Sequence, residues 1–269
     1  YRSTLRTSCW FGINPRSDRL SKDRLRWRSF DWRSNTDNAG TAQRSKYRFQ
    51  TGAEVAIKVK VLIASALALS MLSACAPSKQ YAGNKSDGAF FAVPNGWRHI
   101  TNAQLNAEEG KSTIQADLDR LSMVTYQSGF TTDSSVTPRD VFLLNATKEP
   151  VVFARFRNLF PEERNAISFN SLRNVILPVT SYLDGTKSND RNFQLLDDQE
   201  VTQKGAKGVH LIYTFDYNGV NETINQTALY SNDQNKVYLF IARCSSDCYK
   251  KNSKTIDEIV KSFTVRGVK

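Results

Sequence analysis

Residues 208–243 read GVHLIYTFDYNGVNETINQTALYSNDQNKVYLFIAR, and their patterning decides the fold class. From Gly208 to Tyr217 the apolar residues Val209, Leu211, Tyr213 and Phe215 recur at every second position. Successive side chains of a strand point to opposite faces, so these four share one face. Asn218-Gly219 follows at once, and that dipeptide is a strong signal for a tight hairpin turn. Glu222 to Tyr230 continues as a second alternating strand, with Thr223, Asn225 and Thr227 opposite Ile224, Gln226 and Ala228. Asn232 to Asn235 marks another turn, and Lys236 to Arg243, KVYLFIAR, is the most apolar strand. A run this apolar is expected at the centre of the sheet. Strands joined by turns this short must run antiparallel, because a parallel crossover needs a dozen residues or more.

Working outward, Thr255 to Phe263 closes the chain as a helix with Ile256, Ile259, Val260 and Phe263 on one face. On the other side, Phe193 to Val201 reads as a strand leading to a turn at Lys204-Gly205. Asn165 to Leu183 reads as a helix, with Ile167, Leu172, Ile176 and Val179 on its apolar face and Pro178 kinking or ending it. Val141 to Leu144 and Val151 to Phe156 read as strands; in the second, Val151, Phe153 and Arg155 alternate with Val152, Ala154 and Phe156. Asn102 to Met123 reads as helical, with Ile114, Leu118 and Leu121 on one side. Ala89 to Pro94 is a short apolar run ended by its proline, followed by a turn at Asn95-Gly96 and by Trp97, which is read as a core plug. The sum is an α+β domain over residues 89–269, an antiparallel β-sheet flanked by helices.

Upstream, residues 57–74 read IKVKVLIASALALSMLSA and precede Cys75. Lys58 and Lys60 make a short positive start, and Val61 to Leu72 is apolar. Such a stretch is too short for a comfortable bilayer span of about 20 residues and fits a secretory leader. Leu72-Ser73-Ala74-Cys75 resembles the bacterial lipobox. The resemblance implies cleavage between Ala74 and Cys75 and thioether attachment of a fatty-acyl diacylglycerol to the Cys75 sulfur. A thiol is the side chain nucleophilic enough for that chemistry at ordinary pH. The expected location is the extracytoplasmic face of a bacterial cell membrane, with the lipid bilayer as first partner. Residues 75–88, rich in Ala, Ser, Gly, Asn and Lys, read as a flexible tether.

Charge is unevenly spread. The formal net charge is +11, but residues 75–269 hold 23 Lys/Arg against 21 Asp/Glu, so the excess belongs to the front. Residues 1–56 carry ten arginines and three of the four tryptophans with no helical or strand period. They are expected to be translated sequence upstream of the natural start, the alternative being a disordered basic arm for nucleic acid or acidic lipid. The near-neutral main domain gives no ground for a nucleic-acid partner.

The order of elements over residues 88–266 resembles the PsbP-like α+β fold, whose members include bacterial lipoproteins. The resemblance rests on FAVPNGW at Phe91–Trp97, the middle helix, AKGVHLIYT at Ala206–Thr214, KVYLFIAR at Lys236–Arg243, and IVKSFTV at Ile259–Val265. It implies a PsbP-like sandwich serving as a non-catalytic accessory or binding domain for an envelope protein or small ligand, with no catalytic residue to carry over.

Cys244 and Cys248 flank Ser-Ser-Asp, a sequence suited to a turn, and in an exported domain such a pair is expected to form a disulfide. Arg155, Arg157 and Arg173 are candidates for an anion-binding patch. No phosphate loop, His-Glu-x-x-His or Gly-x-Ser-x-Gly is present, and no cofactor, metal site or enzyme activity is implied. A hydrolase is the alternative, and it would require carboxylates such as Asp198 and Glu222 to converge. His99 and His210 are the only histidines, and His210 has the parity of a solvated side chain.

Overall fold

Strand β9 (Lys236–Ser245) lies at the middle of a seven-stranded antiparallel sheet, as its composition predicts. The structure, a computed structural model, describes residues 78–144 and 147–267; Leu72, Ser73, Ala74 and Cys75 lie outside them, as do the leader and the arginine-rich front. The other strands of this sheet are β3 (Arg98–Ile100), β4 (Val124–Thr131), β5 (Val151–Asn158), β6 (Gln194–Thr202), β7 (Ala206–Tyr217) and β8 (Val220–Ser231). Their order is β3-β4-β5-β9-β8-β7-β6. A smaller sheet, β1-β2-β10, is made by β1 (Lys79–Asn84), β2 (Ala89–Pro94) and β10 (Thr264–Val265).

Two apolar cores lie on the two faces of the large sheet, and strand alternation sorts the residues between them. Val237, Leu239 and Ile241 of β9 face one core, with Val209, Leu211, Tyr213 and Phe215 of β7. Tyr238, Phe240, Ala242 and Cys244 face the other. The first core is covered by α1 (Asn102–Glu109), α3 (Pro138–Phe142), α5 (Phe169–Arg173) and α6 (Val179–Leu183); α2 (Gln115–Ser122) and α4 (Pro161–Ala166) bury no residue fully. The second is covered by α7 (Ser246–Ser262) and the β1–β2 hairpin, through Ile256, Ile259, Phe263, Phe91 and Val93. Each large apolar side chain so enclosed contributes about 1.5–3 kcal/mol over an exposed one. The architecture is α+β, an antiparallel sheet with helices on both faces.

The Asn218-Gly219 turn is as expected: φ is 51° at Asn218 and 79° at Gly219, the paired left-handed conformation that joins twisted strands in a two-residue hairpin. Strand β8 is buried on both faces from Glu222 to Ser231. Thr223, Asn225 and Thr227 are buried, because α7 lies over that face and supplies polar partners.

Four local expectations are corrected. The stretch read as a tether contains β1, which pairs along its whole length with β2 from Lys79↔Pro94 to Asn84↔Ala89. Its side chains are polar or small, so no apolar period announced it; its partner's backbone holds it. Asp87, 1 % exposed in the turn that follows, is bonded by Lys236 and by Thr125 Oγ1 at 2.7 Å, which pins the hairpin to the body. Val141–Leu144 is not a strand: Thr137 caps α3, Pro138 begins it and Asp140 completes a capping box. The single helix read over 165–183 is three short ones, started by Pro161 and by the Ser168 cap and interrupted at Pro178. Over 102–123 the helix breaks at Gly110; Leu105 is the buried anchor, and Ile114 sits exposed just before α2.

Gly208 fits the sheet only without a side chain. A β-carbon there would lie 2.1 Å from the Ala228 carbonyl oxygen and 2.8 Å from Leu172 Cδ1. Gly208→Ala is expected to lower stability by about 1–3 kcal/mol through forced displacement of β8 and α5. A urea titration with an unchanged midpoint would contradict this.

Candidate functional site

The β9–α7 junction brings together the most chemistry-bearing groups. Cys244 ends the buried part of β9 and Cys248 lies in the first turn of α7; the Ser245 hydroxyl accepts from the Cys248 amide at 3.3 Å as the helix cap. That turn draws the two Cα atoms to 5.9 Å, and the sulfurs are joined as a disulfide. The disulfide clips the covering helix to the central strand.

Beside it runs a polar chain across the second face. His210 Nε2 lies 2.8 Å from Asn225 Oδ1, and Asn225 Nδ2 donates to the Tyr249 hydroxyl at 2.9 Å. Asp197 Oδ2 is 3.4 Å from His210 Nδ1. His210 is therefore a partly buried link in a network and not a plainly solvated side chain. Burial pushes the Tyr249 hydroxyl up from its ordinary range, so it stays protonated. Thr227 of β8 is the direct cross-strand neighbour of His210.

Arg155, Arg157 and Arg173, read as an anion patch, are committed to separate carboxylates. Arg155 donates to Glu109 of α1 at 2.6 Å. Arg157 makes a two-pronged pair with Glu163 of α4 at 2.7 and 2.8 Å. Arg173 makes another with Asp198 of β6 at 2.8 and 3.1 Å. The expected patch is corrected to three clamps that hold helices to the sheet. Burial raises the Glu163 carboxyl, but the Arg157 hydrogen bonds and charge outweigh it and hold the group below its ordinary range.

Asp198 and Glu222 do not converge. Asp198 pairs with Leu211, Leu211 pairs with Gln226, and Glu222 lies four residues along from Gln226. Two strand spacings and four residues separate them by roughly 16 Å, far beyond joint reach of one substrate atom. Glu222 instead faces Arg243 at 3.1 Å, both almost fully buried, and Arg243 also donates to the Asp140 carbonyl at 2.6 Å. Burial raises the Glu222 carboxyl against the pull of Arg243, and its Oε2 accepts no hydrogen bond. His99 stacks on Phe130 with ring centroids 4.5 Å apart, and burial lowers its pKa. Among the described residues no group of His, Cys, Asp and Glu could hold a metal ion, and no helix is long and apolar enough to cross a membrane.

One surface was not foreseen. Tyr81 of β1 is 82 % exposed, and Lys79 Nζ lies 3.9 Å from Glu258 on the outer side of α7. Only the alternation of Lys79 and Tyr81 with Gln80 and Ala82 could have signalled it.

These features define a disulfide-clipped α+β domain. Similar solved structures include cyanobacterial PsbP (CyanoP) from Synechocystis sp. PCC 6803, at 15% identity and TM-score 0.41, covering 71% of this chain and 95% of that one. LpqN of Mycobacterium tuberculosis, described as involved in cell envelope biogenesis, matches at 16% identity and TM-score 0.38, covering 69% and 90%. The Ran-binding protein Mog1p of Saccharomyces cerevisiae matches at 10% identity and TM-score 0.36, covering 70% and 96%. The PsbP-like family that the sequence motifs resemble is thus represented among them. No protein-family model matches the chain, and no curated protein matches it in sequence.

Removing one member of the buried ion pair tests its role. Arg243→Leu is expected to cost about 3–5 kcal/mol near neutral pH, because it strands the Glu222 carboxylate. Without the guanidinium the folded-state pKa of Glu222 rises further. A raised folded pKa gives stability below the unfolded value and forfeits it as pH climbs through the folded value. The loss should therefore be smaller at about pH 5 than at about pH 7.5 in paired urea titrations. Equal losses at the two pH values would contradict the assignment.

Proposed function

We propose that this chain is a lipid-anchored domain on the extracytoplasmic side of a bacterial cell envelope, and that it binds a partner protein or small ligand without catalysing a reaction. The observation that carries the proposal is the short apolar leader ending in Leu72-Ser73-Ala74-Cys75. A leader of that kind directs export, and Cys75 is the acceptor for the diacylglyceryl group.

The Cys244–Cys248 disulfide supports the same compartment, since disulfides persist in oxidising surroundings and are rare in a reducing cytosol. The internal use of charge supports a binding role. Arg155, Arg157, Arg173 and Arg243 each engage a carboxylate that holds the fold. Binding surfaces then remain on the loops and on the outer faces of the covering layers.

Intact mass measurement of the protein extracted from native membranes tests the proposal. The expected mass is that of residues 75–269 with a diacylglyceryl group on Cys75 and two hydrogens lost to the Cys244–Cys248 bond. An uncut and unlipidated chain would overturn the envelope assignment.

A further inference from the structure

The face formed by β1 and the outer side of α7 has a consistent chemical character. In the β1–β2 register, Lys79, Tyr81 and Gly83 oppose Pro94, Ala92 and Phe90, so all six lie on one side of the hairpin. The Arg266 guanidinium sits 5.8 Å above the Phe90 ring. Lys79 reaches Glu258 at 3.9 Å, which joins this side to the exposed face of α7. Lys254 and Lys261 stand four residues before and three after Glu258, on the same helical face, and Lys250 lies one turn beyond. All three are exposed, as are Lys251 and Arg266.

The charge of this face is out of proportion to the rest. Lys79, Lys250, Lys251, Lys254, Lys261 and Arg266 oppose Asp247, Asp257 and Glu258, a net of +3. Residues 75–269 as a whole net only +2, so the remainder of the domain is net negative. The domain is therefore polarised, and the exposed Tyr81 ring adds an amphipathic group at the basic end. Tyrosine favours a boundary where one end is apolar and the other wet.

We infer that this face lies against the bilayer and is held there by anionic phospholipid headgroups. The inference rests on the lipid-anchor proposal. Lys79 is four residues after Cys75, so even a fully extended link spans at most about 14 Å. An anchor at Cys75 therefore keeps β1 near the headgroups, in a field that decays over about 8–10 Å at physiological salt. A rigid strand at that distance, pinned through Asp87, has few orientations open to it, and the basic face selects one of them. The acyl chains supply the attachment; the lysines and Tyr81 set which side of the domain remains free for partners. The helices on the opposite core, α1, α3, α5 and α6, then face away from the membrane.

The test uses protein extracted from native membranes and reconstituted in two vesicle types, pure phosphatidylcholine and phosphatidylcholine with about 30 % phosphatidylglycerol. Lysine acetylation rates are read peptide by peptide by mass spectrometry. Lys79, Lys254 and Lys261 are expected to react about threefold or more slowly on the anionic vesicles, with protection lost at about 0.5 M salt. Lys111 and Lys187, on the opposite layer, should react equally on both. A Lys254→Glu/Lys261→Glu variant, altered only at exposed positions, should abolish the difference at Lys79. Equal rates in the two vesicle types, or protection that survives the double variant, would overturn the inference. The intact mass of the same sample separates the two proposals. An acylated Cys75 without lysine protection leaves the anchor and removes the orientation; lysine protection on an unacylated chain does the reverse.

Discussion

The structure depends on a central strand buried on both faces. β9 sends Val237, Leu239 and Ile241 into one core and Tyr238, Phe240 and Ala242 into the other. A strand with no solvated face requires two covering layers, so helices α1, α3, α5 and α6 and the β1–β2–α7 layer are equally necessary. The Cys244–Cys248 bond acts at this point, fixing the start of the long covering helix to the end of the strand it covers. Removing the β1–β2–α7 layer would expose aromatic side chains that it covers, among them Phe240 and Phe156.

Charged and polar residues follow from the same constraint. A sheet covered on both sides must bury some of its edge and end residues, and buried charges require partners. Arg155, Arg157 and Arg173 each cross from one element to another to reach a carboxylate, and Arg243 meets Glu222 inside the first core. A sequence that offers several arginines near one another suggests an anion site; the fold spends them on inter-element clamps. The edge strand β6 remains outside this economy. Its Asp197, Asp198 and Glu200, with a register shift between Leu195 and Asp197, discourage pairing with another chain.

The fold was most legible where period and turn chemistry agreed. The alternation of Val209, Leu211, Tyr213 and Phe215, the Asn218-Gly219 turn and the apolar run of β9 gave the antiparallel ladder directly. Short apolar runs were ambiguous: Val141 and Phe142 close a helix because Thr137 and Pro138 start one before them, a local signal that outweighs their β-favouring composition. The burial of polar β8 was not legible because periodicity reports polarity and not cover, and α7 supplies polar partners for Thr223 and Asn225. The arginine pairs were not legible, since Glu109, Glu163 and Asp198 come from separate parts of the chain. β1 escaped notice for a related reason: an edge strand held by its neighbour's backbone needs no apolar pattern of its own.

That strand bears on the anchoring proposed at Cys75. A tether would let the domain tumble freely at a distance from the proposed attachment point, whereas β1 begins four residues after Cys75, so a lipid there would be coupled closely to the body of the fold. Hydrogen–deuterium exchange of the native protein measures this most directly. Backbone amides of Lys79–Asn84 that pair with β2 should be protected to a degree comparable with β2 itself. Exchange across Lys79–Asn84 at the rate of a free peptide, with β2 still protected, would contradict the account and return the segment to a tether.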